Sequence, residues 1–172
     1  MLTDDEKCAL LRKLVEDKEY RMRIALAFGK IPDICACEII KPLSKDPTIS
    51  IRDTIVRTQD NLPEECACDI LERLSEDENA GIRGKLTYYQ KNIPEACACN
   101  IFYKLGKDPE TFIRDEIAVN DCIPEACACD ILDALAEDLV SYVRTDALNN
   151  PLFKKCDEYE EMLPFRGNND AQ

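Results

Sequence analysis

The chain has 172 residues, which is enough for about one domain with a sizeable core. It carries 22 basic and 35 acidic side chains, for a formal charge of −13, and it contains no histidine. The lack of histidine excludes His-dependent triads and Cys/His zinc fingers, and the charge without a basic patch argues against direct nucleic-acid binding. Because no apolar run is long enough to span a membrane and the first residues are acidic, we expect a cytoplasmic protein without membrane contact.

A repeat organises the chain. The tripeptide Cys-Ala-Cys occurs at 35–37, 66–68, 97–99 and 127–129, at intervals of 31, 31 and 30 residues. A proline precedes each first cysteine by three residues, and degenerate units lie around Cys8 and around Cys156. Such a period predicts stacked units with atypical ends in a single domain. The predicted boundaries are 1–31, 32–62, 63–93, 94–123 and 124–150, a partial cap at 151–156, and a loosely ordered acidic tail at 157–172.

Each unit is predicted to form two helices. In the unit that begins at Pro94, apolar and small residues recur at helical spacing up to Leu105, which indicates an amphipathic first helix. A second helix is predicted to start at Asp108 and Pro109, with the aspartate as its N-cap and the proline in its first turn. No segment alternates with period two for long enough to predict a strand. The fold class is therefore all-α.

The pattern Leu-x-x-Leu-x-x-Asp, followed six residues later by Arg and then by Ala or Leu, resembles HEAT-like repeats. Two segments look especially like the related leucine-rich repeat variant family: Ile113-Arg114 through Asn120, and Val143-Arg144 through Pro151. The resemblance covers about residues 6–151, and the Cys-Ala-Cys insert departs from it. It implies a right-handed α-solenoid whose surfaces bind other macromolecules, and the period of the sequence gives about five two-helix repeats of 30–31 residues.

One Asp and one Arg recur in every unit with a spacing of six residues. We interpret them as a structural ladder in which each Asp caps the second helix and pairs with an Arg of its own or the next unit. The predicted ladder comprises Asp17 and Arg23, Asp46 and Arg52, Asp77 and Arg83, Asp108 and Arg114, and Asp138 and Arg144.

The two cysteines of each Cys-Ala-Cys point to opposite neighbours, because residues two apart on a helix are rotated by about 200°. One handedness gives four pairs, Cys8/Cys35, Cys37/Cys66, Cys68/Cys97 and Cys99/Cys127. The other gives Cys35/Cys68, Cys66/Cys99, Cys97/Cys129 and Cys127/Cys156. Sequence counting does not choose between them.

Three interpretations of these cysteines stay open. The preferred one is that Cys and Ala are small hydrophobes that let stacked helices approach. The second is soft-metal binding, in which thiolates of adjacent units share Cu(I), Zn or an iron–sulfur cluster. Disulfides come third, because helix axes lie about 8–10 Å apart and a reducing compartment is expected. The metal candidates are Cys35, Cys37, Cys66, Cys68, Cys97, Cys99, Cys127 and Cys129.

Charge is concentrated at the carboxyl end, where residues 115–172 have a net charge of −10. We therefore predict a non-enzymatic scaffold that holds a protein with a basic surface, with no catalytic residues and no required cofactor. A variant of this prediction is that the acidic surface imitates nucleic acid to block a DNA-binding protein. The alternative function is soft-metal binding, and the oligomeric state stays open. The candidate partner-binding residues are Asp130, Asp133, Glu137, Asp138, Tyr88 and Tyr89.

Overall fold

The computed structural model describes residues 2–25 and 28–162. These residues form eleven α-helices and no β-strand, which confirms the all-α class. None of these helices is long and apolar enough to cross a membrane. In chain order the helices are α1 (Asp4–Leu14), α2 (Lys18–Ala25), α3 (Asp33–Leu43), α4 (Ile49–Arg57), α5 (Glu64–Leu74), α6 (Ala80–Tyr88), α7 (Glu95–Leu105), α8 (Thr111–Ala118), α9 (Glu125–Ala136), α10 (Ser141–Asn149) and α11 (Pro151–Met162).

Four of the odd-numbered helices begin in the same way. A proline with extended backbone occupies the N-cap of α3, α5, α7 and α9, so the chain turns sharply before each helix. An acidic residue follows each proline and complements the positive end of the helix dipole. Each of these prolines therefore stands immediately before the first helical residue.

Four of the even-numbered helices, α4, α6, α8 and α10, start later than predicted. Helix α8 begins at Thr111 with Glu110 as N-cap, and not at Asp108 and Pro109. The Asp108 side chain instead accepts one hydrogen bond from the backbone N–H of Glu110 and another from Arg83 of the preceding unit. Because this carboxylate holds the turn before the helix, the helix can start only after that turn.

Helices of the same parity pack against one another in chain order. Helix α3 contacts α1 and α5, and α4 contacts α2 and α6; the same relation continues to α9 with α11 and α8 with α10. Consecutive helices also pack together, so an odd-numbered row lies against an even-numbered row. The fully buried side chains fill the space between the rows and are almost all aliphatic, with Phe102 the largest: Ile39, Ile40, Leu43, Ile51, Ile55, Ile70, Leu71, Leu74, Ile82, Leu86, Ile101 and Phe102.

The carboxyl end departs from the regular pattern. Helix α11 lies against α9 and α10 and continues to Met162, past the predicted start of the tail at Asp157. The rest of the predicted tail, residues 163–172, lies outside the described residues. Leu152 and Phe153 pack against the core, so the first turn of α11 covers the end of the odd-numbered row.

Candidate functional site

Five disulfides connect consecutive odd-numbered helices. Their Cα atoms lie between 5.6 and 5.9 Å apart, within the range of ordinary disulfides. Each bridge closes its own loop before the next loop begins, so the loops follow one another without overlap. The pairs are Cys8–Cys35, Cys37–Cys66, Cys68–Cys97, Cys99–Cys127 and Cys129–Cys156.

The first of the two predicted pairing schemes has the observed connectivity, and the second is wrong. The first cysteine of each Cys-Ala-Cys faces the preceding odd-numbered helix and the second faces the following one. The objection based on helix spacing fails, because each Cα stands about 2.3 Å from its helix axis, and facing Cα atoms are closer than the axes. Sequence analysis missed the fifth bridge, since the spacing of Cys156 from Pro151 had been matched to that of Cys129 from Pro124.

These ten cysteines have no free thiolate in the disulfide-bonded chain. Within residues 2–25 and 28–162, no group of three or more His, Cys, Asp or Glu residues is placed to hold a metal ion. Soft-metal binding therefore stays a prediction for the reduced chain. Cys122 is the free cysteine of the described part; it is half-buried, and burial raises the pKa of its thiol.

Arginine side chains connect the turns between the rows. Arg52 donates from Nε to Asp77 Oδ2 at 2.6 Å and from Nη2 to Asp77 Oδ1 at 2.9 Å, and its Nη1 donates to the backbone carbonyl of Asp46. Both side chains of the Arg52–Asp77 pair are at least 94% buried. One guanidinium thus fixes its own turn and the turn of the next unit. The same two-turn contact is made by Arg83 to Asp108 and Asp77, and by Arg114 to Asp138 and Asp108.

The ends of this arginine ladder differ from the prediction. Arg21, and not Arg23, donates to Asp46 at 2.8 Å, because α2 begins immediately after Asp17 and presents Arg21 at that level. Arg23 lies over the ring of Tyr20 instead, and the Asp17 carboxylate accepts from the backbone N–H of Glu19. At the other end, Arg144 donates to the backbone carbonyl of Asp138.

The ladder also sets the ionisation of its members. The hydrogen bond from Arg114 lowers the pKa of Asp138 below its ordinary value, and the backbone N–H of Val140 adds to this effect. For Asp46, burial opposes ionisation, but hydrogen bonds from Arg21 and from the backbone N–H of Thr48 outweigh it and lower the pKa. These aspartates are thus held in their charged form.

A second polar ladder, which sequence analysis missed, follows the carboxyl ends of the even-numbered helices. The Gln59 amide donates to the Tyr89 carbonyl at 2.5 Å, and the Asn120 amide donates to Gln90 Oε1. Asn150 is 98% buried and donates to the carbonyls of Ala118 and Asn120, both at 2.8 Å. The available signal was the recurrence of an amide side chain at positions 59, 90, 120 and 150, at the repeat period.

The predicted partner-binding residues lie on different parts of the molecule. Asp130 and Asp133 are exposed on α9, and Glu137 is exposed at its C-cap. Asp138 belongs to the arginine ladder and is not available to a partner. Tyr88 is 78% exposed at the end of α6, in the even-numbered row, with the half-buried Tyr89 edge-on at 5.0 Å between ring centroids. Tyr89 packs against the core.

The chain was compared with known proteins. No family model matches it, and no curated protein matches it. The resemblance to HEAT-like and leucine-rich variant repeats therefore rests on the residues quoted above and stays a prediction.

Proposed function

We propose that this protein is a non-enzymatic repeat scaffold, an α-solenoid of about five two-helix units held in register by its ladders. Three independent ladders support this proposal: the disulfides, the arginine–aspartate pairs and the amide contacts, all between residues 24 to 32 positions apart in the chain. Every ladder connects one unit to the next. This is the contact pattern of a protein in which each repeat packs only on its neighbours. An elongated particle in small-angle X-ray scattering is the expected outcome, and a spherical profile would contradict it.

The partner in this proposal is a protein with a basic surface. The observation that carries it is the charge distribution: residues 115–172 have a net charge of −10, and Asp130, Asp133 and Glu137 are exposed on or beside α9. Exposed carboxylates steer a basic partner and speed its association at low ionic strength. Since these three side chains lie outside the arginine ladder, they can change without loss of its contacts.

The test begins with the partner identified by cross-linking in an extract of the source cells. Its affinity is then measured by calorimetry at two salt concentrations, for the wild type and for the triple variant Asp130→Asn, Asp133→Asn, Glu137→Gln. We expect weaker binding at higher salt and in the variant. If the affinity changes neither with salt concentration nor in the triple variant, the electrostatic part of the proposal is wrong. A matched control neutralises Asp4, Asp5 and Glu6 in the first turn of α1, which removes the same charge at the other end.

We also propose that the chain folds in an oxidising compartment. Disulfides persist in secreted and periplasmic proteins and are rare in the cytosol, so five of them support this location over the cytoplasm expected from the sequence. Alkylation of whole cells with a maleimide-linked polymer measures the thiols directly. One modified thiol per chain without reductant supports the proposal, and modification of all eleven cysteines overturns it.

Soft-metal binding by the reduced chain is the second candidate. It is supported by the pairing itself, since the folded chain brings two cysteines together at each of five positions, where a bound metal would hold the reduced chain in place of the bridge. Thiolate pairs are ligands that Cu(I) and Zn prefer. Elemental analysis of anaerobically purified, reduced protein tests this function: several equivalents of metal favour it, and less than one equivalent removes it.

A further inference from the structure

Helices α8 and α10 present a mixed aromatic and acidic face. On α8, Phe112 is 49% exposed, and Asp115 and Glu116 follow it by three and four residues, so all three lie on one side. On the neighbouring α10, Tyr142 is 50% exposed and Asp146 follows it by four residues. We call these five residues the α8–α10 face. Its aromatic edge and its carboxylate edge are about one helical turn, or 5.4 Å, apart.

Two carboxylates of this face oppose each other. The side chain of Asp115 lies against that of Asp146, and burial together with this neighbour raises the pKa of Asp115. Asp115 Oδ1 is buried and accepts no hydrogen bond from the described part of the chain. When both groups are ionised, neither can donate to the other, so each has acceptor capacity that only an external donor can fill.

The Asp115–Asp146 contact has an equivalent two units earlier, between α4 and α6. Asp115 and Asp53 each follow a ladder arginine by one residue, and Asp146 and Lys85 each follow one by two residues. In the earlier pair, Lys85 Nζ donates to Asp53 Oδ1. Lys85 is thus a cation that faces a carboxylate. At the α8–α10 face, the position equivalent to Lys85 is occupied by Asp146. The cation that α6 supplies to α4 through Lys85 has no counterpart at the α8–α10 face within the described residues.

The aromatic edge indicates which cation fits. An arginine side chain packs its methylene groups on apolar surface, stacks its guanidinium on an aromatic ring and forms two parallel hydrogen bonds to carboxylates. One edge of the Phe112 ring packs on Gly84 of α6, where an added Cβ would be 2.8 Å from Phe112 Cε2. A hydrated metal ion would gain nothing from the two rings.

We propose that the α8–α10 face binds an arginine side chain carried by an exposed segment of a partner protein. The guanidinium lies between Asp115 and Asp146, and its stem packs on Phe112 and Tyr142. This inference rests on the proposed function, since both require a basic partner, and it adds a second contact to the α9 carboxylates. The net charge of −10 over residues 115–172 is the charge complementarity that selects such a segment.

The probe is a capped nine-residue peptide of alternating alanine and arginine, and the matched control peptide replaces every arginine by neutral citrulline. Binding to the full chain is measured by fluorescence anisotropy, and the contact is mapped by chemical shifts of ¹⁵N-labelled backbone amides. We expect shifts confined to α8 and α10 and at least tenfold weaker binding of the citrulline peptide. A substitution of Asp146 by lysine, Asp146→Lys, is expected to weaken arginine binding at least tenfold, because the new ammonium occupies the position as Lys85 does beside Asp53.

Two further variants separate the possible results. The α9 triple variant, Asp130→Asn, Asp133→Asn and Glu137→Gln, is expected to keep the peptide affinity within about twofold, since these residues lie outside the face. Lys85→Asp recreates an acidic pair with Asp53 where Ser50 and Gly81 replace the rings, and it is expected to add no second site. Equal binding at that new pair would overturn the aromatic part of the inference.

The failures of the two proposals are distinguishable. If the α9 variant abolishes peptide binding and Asp146→Lys does not, the inference is wrong and the proposed function stands. If the arginine and citrulline peptides bind equally, or if neither binds, the acidic surface does not recognise basic segments and both fail. A third result would be that the wild type binds Ca²⁺ but not the arginine peptide, and that Asp146→Lys abolishes the Ca²⁺ binding. The face would then be a metal-cation site, and the inference would be wrong. The melting temperature of Asp146→Lys serves as the folding control and is expected to match or exceed that of the wild type.

Discussion

Loss of a single disulfide is expected to destabilise the chain strongly, and the Cys68–Cys97 pair in the middle is the best place to measure it. The bridge spans 29 residues, and the loop-entropy relation gives about 3.6 kcal/mol for a loop of this length. For a chain of this size, such a loss lowers the melting temperature by roughly 7–14 °C. The perturbation is the double substitution Cys68→Ala and Cys97→Ala, which keeps both positions small and apolar.

Reduction of all five bridges extends the same reasoning. Because the loops do not overlap, their contributions add, to about 18 kcal/mol. This exceeds the total stability of about 5–15 kcal/mol that is usual for a folded protein. We therefore expect the reduced and alkylated chain to be largely unfolded at room temperature.

The assay is thermal and urea unfolding followed by far-ultraviolet circular dichroism. Cys122→Ser is the matched control, since Cys122 is free, and we expect its midpoint to differ by no more than a degree or two. A reduced, alkylated chain that keeps its helical signal and unfolds cooperatively near the oxidised midpoint would refute the reasoning. The cysteines would then act as small packing residues, and the bridges would be dispensable for folding.

Three further predictions concern the polar groups. Arg83→Met is expected to lower the free energy of unfolding, measured in urea, by about 3–5 kcal/mol, because it leaves the buried Asp108 carboxylate unpaired. Lys104→Met removes an exposed pair with Glu76 and is expected to lower it by under about 1 kcal/mol. Asn150→Ala removes two buried hydrogen bonds and is expected to cost about 1–3 kcal/mol by the same measurement. Asp115→Asn is expected to stabilise the chain by about 0.5 kcal/mol at pH 7, because it removes a charge that burial and Asp146 disfavour. The gain should vanish as the pH falls below the ordinary aspartate pKa, since Asp115 is then protonated in both the folded and the unfolded chain. A gain that persists at pH 3 would contradict the like-charge explanation.

The helical repeat was accessible from the sequence because several ladders repeat their residue types at one period. Proline before each Cys-Ala-Cys, and Asp six residues before Arg, specify one unit after another, and the same residues make the contacts between units. The geometry of a helix then requires the two cysteines of each motif to face opposite neighbours. By this route sequence reasoning reached four of the five bridges as one of two schemes and missed Cys129–Cys156.

The choice between the schemes depended on handedness and distance, which the sequence does not contain. Local shifts in where the helices begin were also inaccessible. Arg21 replaces Arg23 because α2 begins directly after its turn, and Asp108 delays α8 because its carboxylate holds the turn in place. The Asp115–Asp146 contact needed the packing of α8 on α10, since each residue alone is an ordinary surface aspartate.

The two strongest ladders act on different parts of each unit, and this division explains how a protein with small units keeps one shape. The disulfides join odd-numbered helices near their amino ends, while the arginines join the turns that lead into the even-numbered helices. Two attachment points per interface oppose rotation of one unit on the next, whereas a single one would permit it. The even-numbered row is thereby held in place largely by buried contacts. The residues of that row outside the core differ in charge along it, from Asp53 paired with Lys85 to Asp115 facing Asp146, and the proposed arginine site depends on this difference.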